Sequence, residues 1–160
     1  MIFPTVTGSN LDGQRISLPN GLAGEFNLLV ITFQQRHSPQ VEAWVSHFSA
    51  LCSRYYDLRC YVLPTIQNLL TLQRDFADAW VRSGSDDGNR RQTTIPLYVD
   101  INDFNRALDI PTVSNVYCLL IDREGEVLWR VQGAYDPLKV RRLLHVLNHR
   151  CQRREVAAAR

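Results

Sequence analysis

The sequence lacks the cysteine spacing that dithiol redox motifs and most zinc sites require. Its four cysteines stand at positions 52, 60, 118 and 151, and none of them forms a Cys-x-x-Cys pair. A zinc site or a dithiol motif is therefore not predicted. Cys52 falls on the apolar face of a predicted helix and Cys118 inside an apolar strand, where a free cysteine behaves as a small hydrophobic residue. We expect the thiols to be reduced.

Long apolar runs are lacking as well. Residues 1–8 have no basic segment before an apolar core, so they do not resemble a signal peptide. No other stretch approaches the roughly 20 apolar residues that span a bilayer. We expect no membrane insertion and a cytoplasmic location, or an organellar matrix if a transit peptide has been removed. At 160 residues, the chain predicts one domain over 1–150 and a frayed basic tail over 151–160.

The chain has almost no excess of charge of one sign, with a formal net charge of +2. It also has no paired carboxylates and no glycine-rich phosphate loop. Residues 141–160, however, hold six arginines and one acid. This segment suits a solvated helix face or contact with nucleic acid or acidic lipid; no aromatic residues interleave with it, so specific nucleic-acid binding is not predicted. His145 and His149 have i, i+4 spacing but no third ligand, so neither a metal site nor a cofactor is predicted.

Turn residues and alternation predict an N-terminal hairpin with an edge strand at residues 14–18. The near-continuous apolar run 27–33 suits a strand that is covered on both faces. A helix follows, with Ser38 as its N-cap and Pro39 in its first turn. The apolar stripe of this helix has helical spacing: Val41, Trp44, Val45, Phe48, Cys52 and Tyr55.

Strand and helix patterns alternate through the rest of the chain. Residues 59–63 predict a strand that ends at Pro64, and a second helix is predicted from Ile66 to Trp80. Residues 83–94 are polar and predict a mobile loop. The remaining elements are a strand at 96–100, a short helix around Phe104, a hairpin of strands 116–122 and 127–132, and a last helix that opens at Asp136.

This order predicts an α/β fold with a central mixed sheet, helices on both faces and an N-terminal β-hairpin. The strand–helix–strand start requires parallel strands joined by a right-handed crossover. The late hairpin adds antiparallel strands to the same sheet. Helices on each face of such a sheet bury their apolar stripes against it.

Three stretches carry a resemblance to a known family. Residues 11–18 and 22–24, followed by the apolar strand, look like the opening of the redoxin and peroxiredoxin branch of the thioredoxin superfamily. The helix that starts just after Phe33 is similar in position to the family's first long helix. Residues 119–127 match the family's terminal hairpin. The likeness covers about residues 3–147 and implies a thioredoxin-like fold.

Within that superfamily, the chain is also similar to thioredoxin-like assembly factors of the mitochondrial ATP synthase. The similarity lies in the opening Phe3 and Pro4, in the strand led by Asn27, and in residues 114–117. Those factors act as chaperone-like binders with a degenerate redox site. The resemblance therefore implies a protein partner and no cofactor.

The corner that carries the family's redox residues is different here. Where the family has Cys-x-x-Cys or a single peroxidatic cysteine, this chain has His37, Ser38, Pro39 and Gln40. A thiolate is the attacking species in disulfide exchange and in peroxide reduction, and neither imidazole nor carboxamide replaces it. The family's cis-proline position is held by Val116, so we expect the peptide bond before it to be trans.

These departures predict a binding surface instead of a catalytic site. Its residues are Arg36, His37, Ser38 and Gln40, together with Asn115 and Val116. Two interpretations of His37 remain open. At the start of a helix, beside Arg36 and Ser38, it suits a small anionic ligand. The plainer interpretation is a solvent-exposed corner histidine.

Three functions follow from the sequence, and the first is favoured. It is a non-catalytic, thioredoxin-like binding or assembly protein of chaperone type, with no catalytic residue. The second is a thiol oxidoreductase or peroxidase whose nucleophile has moved to Cys60 or Cys118. The third is an adaptor whose basic tail contacts nucleic acid or a membrane surface. The oligomeric state is not predicted.

Overall fold

A computed structural model describes residues 1–67 and 88–151 of the chain. Two 3-10 turns, Gln35–His37 and Pro137–Val140, each lead into an α-helix. The described strands are β1 (Val6–Ser9), β2 (Arg15–Leu18), β3 (Phe26–Thr32), β4 (Leu58–Gln67), β5 (Leu97–Val99), β6 (Tyr117–Asp122) and β7 (Val127–Gln132). The described helices are α1 (Ser38–Arg54), α2 (Gly88–Thr93), α3 (Ile101–Ala107) and α4 (Arg141–Arg150).

Five strands form one mixed sheet in the order β5-β4-β3-β6-β7, and β1 pairs with β2 in a separate antiparallel hairpin. β3 and β4 are parallel, as are β4 and β5, whereas β6 is antiparallel to both β3 and β7. The parallel strands β3 and β4 are joined through α1, and the antiparallel strands β6 and β7 form the late hairpin. The predicted α/β fold with a central mixed sheet and an N-terminal hairpin is confirmed.

Alternate side chains of β3 enter two different core layers. Leu28 and Val30 pack toward α1 and α4, where Trp44, Phe48 and Leu143 are fully buried. Because both faces of β3 are covered, the strand is apolar at nearly every position. The opposite layer joins β3 to the N-terminal hairpin and α3 through Leu29, Ile31, Phe3, Leu18, Phe104 and Leu108.

β4 is longer than the sequence predicts. The predicted strand ends at Pro64, whereas β4 continues to Gln67 and includes Ile66, which the sequence places on a helix. The Val62 carbonyl accepts a hydrogen bond from the Ile95 N–H (2.9 Å), so strand alternation turns the Pro64 nitrogen toward that same side. Pro64 lies between the Val62–Thr94 bridge and the first pair with β5, Thr65–Leu97, a gap in the pairing in which the missing N–H is tolerated. The remainder of the predicted second helix lies outside the described residues.

Part of the loop predicted at residues 83–94 is helical, since it contains α2. Two arginines fix α2 to its neighbours. Arg91 donates to the Asp12 carboxylate beside the N-terminal hairpin (2.8 Å), and Arg90 pairs with Glu42 of α1 (2.6 Å). These long-range contacts order a polar segment that has no apolar periodicity of its own. The earlier part of the predicted loop lies outside the described residues.

The first turn of α1 also differs from the prediction. Ser38, predicted as the N-cap, is the first helical residue, and the N-cap position belongs to His37 without a side-chain cap. The reason is that the 3-10 turn runs directly into the helix, with the Ser38 N–H donating to the Gln35 carbonyl. Pro39 lies in the first turn, as predicted.

The last helix opens where the sequence predicts. The Asp136 carboxylate accepts a hydrogen bond from the Leu138 N–H (2.8 Å) and caps the 3-10 turn that leads into α4. Cys151, just after α4, is buried. Residues 152–160 lie outside the described residues, so the predicted boundary between domain and tail stays a prediction. In the two described ranges, no helix has the length and apolar character of a membrane span.

Candidate functional site

The strand–helix corner and the loop before β6 meet at one end of the sheet. Ile31 of β3 pairs with Tyr117 of β6, so the chain leaving β3 passes beside the chain entering β6. Gln34 joins the two segments, because its side-chain amide donates to the Val113 carbonyl (3.2 Å). The two segments of the predicted binding surface therefore lie at the same end of the sheet.

Gln34 fixes the shape of this corner. Its backbone is extended, and its carbonyl accepts hydrogen bonds from the His37 N–H (3.0 Å) and the Thr32 hydroxyl (3.2 Å). Its side-chain oxygen accepts from Arg36 Nε. Sequence reasoning did not single out Gln34. The available signal was its place as the first residue after the apolar run 27–33, where the chain must change direction.

The backbone at the start of α1 offers an anion few donors. Helix N-termini bind anions through N–H groups that have no partner within the helix. Here the Ser38 N–H already donates to the Gln35 carbonyl, and Pro39 has no N–H. An anion at this corner would therefore depend on side chains and not on a cradle of backbone amides.

His37 is buried, with 8% of its surface exposed, so the interpretation as a solvent-exposed corner histidine is wrong. The 3-10 turn folds its ring inward, and its Nδ1 is buried without a hydrogen-bond partner among the described residues. Burial lowers the pKa of His37, and the neighbouring Arg36 lowers it further. The imidazole is thus held neutral near pH 7, so it contributes a hydrogen-bonding group and not a positive charge.

The other predicted surface residues differ in exposure. Arg36 is exposed, whereas Ser38, Gln40 and Asn115 are half-buried at the surface. Val116 is fully buried, and its carbonyl accepts a hydrogen bond from the N–H of the residue after β7 (2.8 Å). Its side chain packs in the α1 layer of the core, so only its backbone is close to the corner. The peptide bond before Val116 is trans.

All four cysteines are free, and all lie on the α1 side of the sheet. Cys118 faces Val30 in the β3–β6 pairing, only 1% of its surface is exposed, and burial raises the pKa of its thiol. Cys52 is about 20 Å along α1 from Ser38. Burial also raises the pKa of Cys151, to about 12. No cysteine of the chain therefore lies at the corner.

Of the two predicted alternative nucleophiles, Cys60 is more accessible to solvent than Cys118. With Cys52 it lines a cleft of about 580 Å³ between α1, β4 and α2. Burial is the main cause that raises the pKa of Cys60; Cys52 raises it further, and Arg90 opposes the change. This arrangement keeps the thiol protonated, which disfavours nucleophilic attack.

His47 is a second histidine of α1 that sequence reasoning did not single out. It lies beside Tyr135, with its Nδ1 3.4 Å from the phenol oxygen, and its Nε2 is buried without a partner among the described residues. Burial lowers the pKa of His47, and Arg54 lowers it further. Its position three residues after Trp44, beside the apolar stripe, was the available signal.

The paired histidines of α4 lie side by side. The rings of His145 and His149 are 4.3 Å apart between centroids, and His149 Nδ1 lies 2.9 Å from the His145 carbonyl oxygen. Across residues 1–67 and 88–151, no group of three or more histidine, cysteine, aspartate or glutamate side chains is arranged to hold a metal ion.

No protein-family model matches the chain, and no curated protein sequence matches it. Solved structures do match. The thioredoxin domain of a thiol-disulfide oxidoreductase from Bacteroides vulgatus has a TM-score of 0.61 at 15% identity, covering 92% of this chain and 95% of that one. The exposed lipoprotein thioredoxin of Streptococcus pneumoniae has a TM-score of 0.59 at 13% identity, covering 91% and 99%. StoA from Bacillus subtilis has a TM-score of 0.57 at 11% identity, covering 89% and 98%.

Proposed function

The chain has a thioredoxin-like fold, and we propose that it is a non-catalytic binding or assembly protein of chaperone type with a degenerate redox corner. One observation carries the proposal: a buried histidine, His37, occupies the start of α1, where the resemblance to the redoxin branch places the attacking thiol. Disulfide exchange needs a thiolate, and an imidazole does not form the mixed disulfide through which exchange proceeds.

The positions of the cysteines support the same conclusion. Cys118, the thiol closest to the corner along its strand, is enclosed in the core between the sheet and α1. A buried thiol in apolar surroundings stays protonated and is inert as a nucleophile. The remaining thiols lie toward the far end of α1 or of the sheet from the corner.

The surface that would bind the partner is the corner itself. Arg36 is exposed there, and Ser38, Gln40 and Asn115 present polar side chains at the same end of the sheet. A protein segment that offers a carboxylate suits this set, because Arg36 supplies charge and the neutral His37 supplies a hydrogen bond. The resemblance to assembly factors of the mitochondrial ATP synthase supports a hydrophobic or membrane protein as the client. A cytoplasmic or matrix location agrees with four free thiols.

A relocated thiol is the second candidate, and one observation favours it. Cys52 and Cys60 line the same open cleft, and Cys52 is close enough to raise the pKa of Cys60. Such a pair could pass through a disulfide if an oxidant were supplied. The raised pKa of Cys60 argues against rapid exchange and makes this the weaker proposal.

Two measurements test the proposal. Insulin reduction with dithiothreitol, and peroxide consumption, should show no turnover above the reaction without protein. A photocrosslinking residue at Gln40 should capture a discrete protein in a native cell extract, and Arg36→Glu should reduce that capture. The matched position is Arg123, an exposed residue at the opposite end of the sheet, which should not capture it. Turnover that disappears in Cys60→Ser or Cys118→Ser would establish the enzyme instead.

A further inference from the structure

The outer edge of β7 is an open strand edge. β7 is the last strand in the sheet order, and its first residue is covered, since the Val127 N–H donates to the Met1 carbonyl (2.9 Å). Ile2 forms an isolated bridge with Glu126 at the same end. Past that point, the described parts of the chain place no further strand beside β7. An uncovered strand edge is a template for pairing with another extended segment.

The hydrogen-bonding register shows which groups face outward. The Gly133 N–H donates to the carbonyl of Val116, the residue before β6 (2.8 Å). By strand alternation, the backbone N–H and C=O of Val131 then point inward toward β6, and those of Arg130 and Gln132 point outward. In agreement, the Gln132 carbonyl accepts from Lys139 Nζ on the outer side (2.8 Å). The backbone N–H and C=O of Arg130 therefore point toward the open edge.

A cleft of about 750 Å³ runs between this edge and α4. Its lining residues are apolar or basic, the basic ones being Arg130, Lys139, Arg142 and His145, and none is acidic. Large hydrophobic residues are exposed at this end of the molecule: Met1, Ile2 and Leu138 have 51%, 56% and 70% of their surfaces accessible. Exposed apolar surface rimmed by charge is typical of an interaction site.

The basic side chains of the cleft are not neutralised by the described part of the chain. Arg130 donates to the carbonyls of Leu108 and Asp109, and Lys139 donates to those of Gln132 and Ala134. Within residues 1–67 and 88–151, the ion pairs involve other arginines. The Arg130 guanidinium lies over the Tyr117 ring, on the face of the sheet opposite α4, so Lys139 and Arg142 are the residues that can offer charge to the cleft. Carbonyl partners hold Lys139 in place and leave its charge available to an anion.

We propose that the β7 edge and this cleft bind an acidic, extended segment of a partner protein, which adds to the sheet as a strand. Backbone hydrogen bonds to Arg130 would supply affinity, and carboxylates that reach Arg142 and Lys139 would supply specificity. A second copy of this chain is disfavoured, because pairing two β7 edges would bring the same cations together. A nucleic acid would match the charge and leave the strand edge unused. The surface is separate from the corner and does not depend on the function proposed there.

The test uses the full chain and a fluorescein-labelled peptide of alternating glutamate and valine, with a lysine–valine peptide as control. Arg142→Glu should weaken binding at least about tenfold. Arg141→Glu makes the same charge change at the next helical position, outside the cleft lining, and should weaken it less than about threefold. Peptide binding should slow hydrogen exchange of the Arg130 amide.

Several results would overturn this assignment. One is an equal loss of peptide affinity in Arg142→Glu and Arg141→Glu. Another is hydrogen exchange of the Arg130 amide that the peptide does not slow. Absence of binding by the acidic peptide would also reject the surface. Binding of single-stranded DNA with the same loss in Arg142→Glu and no peptide binding would assign the cleft to nucleic acid. Self-association that protects the Arg130 amide without peptide would assign the edge to a second copy.

Discussion

At the scale of single residues, His37 shows how burial changes the chemistry of a side chain. Its sequence neighbours, Arg36 and Ser38, suggest an exposed corner with affinity for anions. The 3-10 turn instead encloses the ring, and the pKa falls. Sequence reasoning could identify which residue replaces the thiol, because that follows from chain position. It could not predict the burial, since burial depends on the turn that Gln34 fixes through long-range contacts.

The lowered pKa gives His37 a defined effect on stability. Its pKa in the folded state lies below that in the unfolded state, so protonation favours unfolding. The contribution is absent above the ordinary histidine pKa and becomes destabilising as the pH falls below it. We expect the free energy of unfolding to fall between pH 7.5 and 5.5, by at most about 1.4 kcal/mol per pH unit for this group. Urea unfolding at each pH measures it.

Variants separate the contributions to that pH dependence. His37→Gln should flatten the curve in part, and His37→Gln with His47→Gln should flatten it further, because burial lowers the pKa of His47 as well. His145→Gln is the control, since His145 is exposed on α4. A pH dependence that is the same in wild type and in the double variant would contradict the assignment.

At the scale of elements, α1 is held in place by a contact that periodicity alone does not reveal. Trp44 is fully buried, as its place in the apolar stripe predicts, and its ring lies against Phe48 and Trp129. Its Nε1 also donates to the Gly133 carbonyl (2.9 Å), which ties α1 to the chain after β7. The indole thus packs in the core and also holds α1 at a fixed distance from the end of β7.

Replacing Trp44 with phenylalanine should therefore cost more than the loss of ring volume. We expect Trp44→Phe to lower the free energy of unfolding by about 2–3 kcal/mol, since a cavity and an unpaired carbonyl both result. Chemical denaturation measures the change, with near-ultraviolet circular dichroism as a check on core packing. Phe48→Leu, a loss of volume without a hydrogen bond, is the comparison. A smaller effect in Trp44→Phe than in Phe48→Leu would show that the Gly133 contact contributes little.

Helices and strands with a clear side-chain pattern of their own could be predicted from the sequence. Those whose extent depends on contacts with distant parts of the chain could not. β3, α1 and the β6–β7 hairpin have apolar runs, a stripe or a tight turn, and they lie where the sequence places them. β4 continues past Pro64 because both neighbouring strands pair with it there, Thr32 of β3 with Pro64 and Leu97 of β5 with Thr65. α2 exists in a polar segment because Arg90 and Arg91 reach acids in distant parts of the chain.

At the scale of the whole molecule, the chain shares its fold with structures named as thiol-disulfide oxidoreductases, while His37 and Gln40, and no cysteine, stand at the start of α1. If only side chains are missing, returning a cysteine pair should return some reactivity. His37→Cys with Gln40→Cys places two thiols three residues apart at the start of α1. Such a pair can close into a disulfide in that geometry.

We expect the double variant to form an intramolecular disulfide with oxidised glutathione and to reduce insulin measurably faster than wild type. The rate should remain modest, because Val116 stands where the resemblance to the redoxin branch places a cis-proline. Mass spectrometry after alkylation detects the disulfide, and His37→Ser with Gln40→Ser serves as the matched control. Failure of the two cysteines to pair would show that the 3-10 turn has reshaped the corner beyond what side chains can restore.

The hydrogen bond between the Val127 N–H and the Met1 carbonyl has a practical consequence for handling the protein. Any extension fused in front of Met1 would emerge beside the mouth of the basic cleft. If the cleft binds acidic segments as proposed, an acidic epitope tag placed there would be a tethered competitor at high local concentration and would hide weak ligands in capture experiments. Affinity handles for this protein therefore belong at the other terminus.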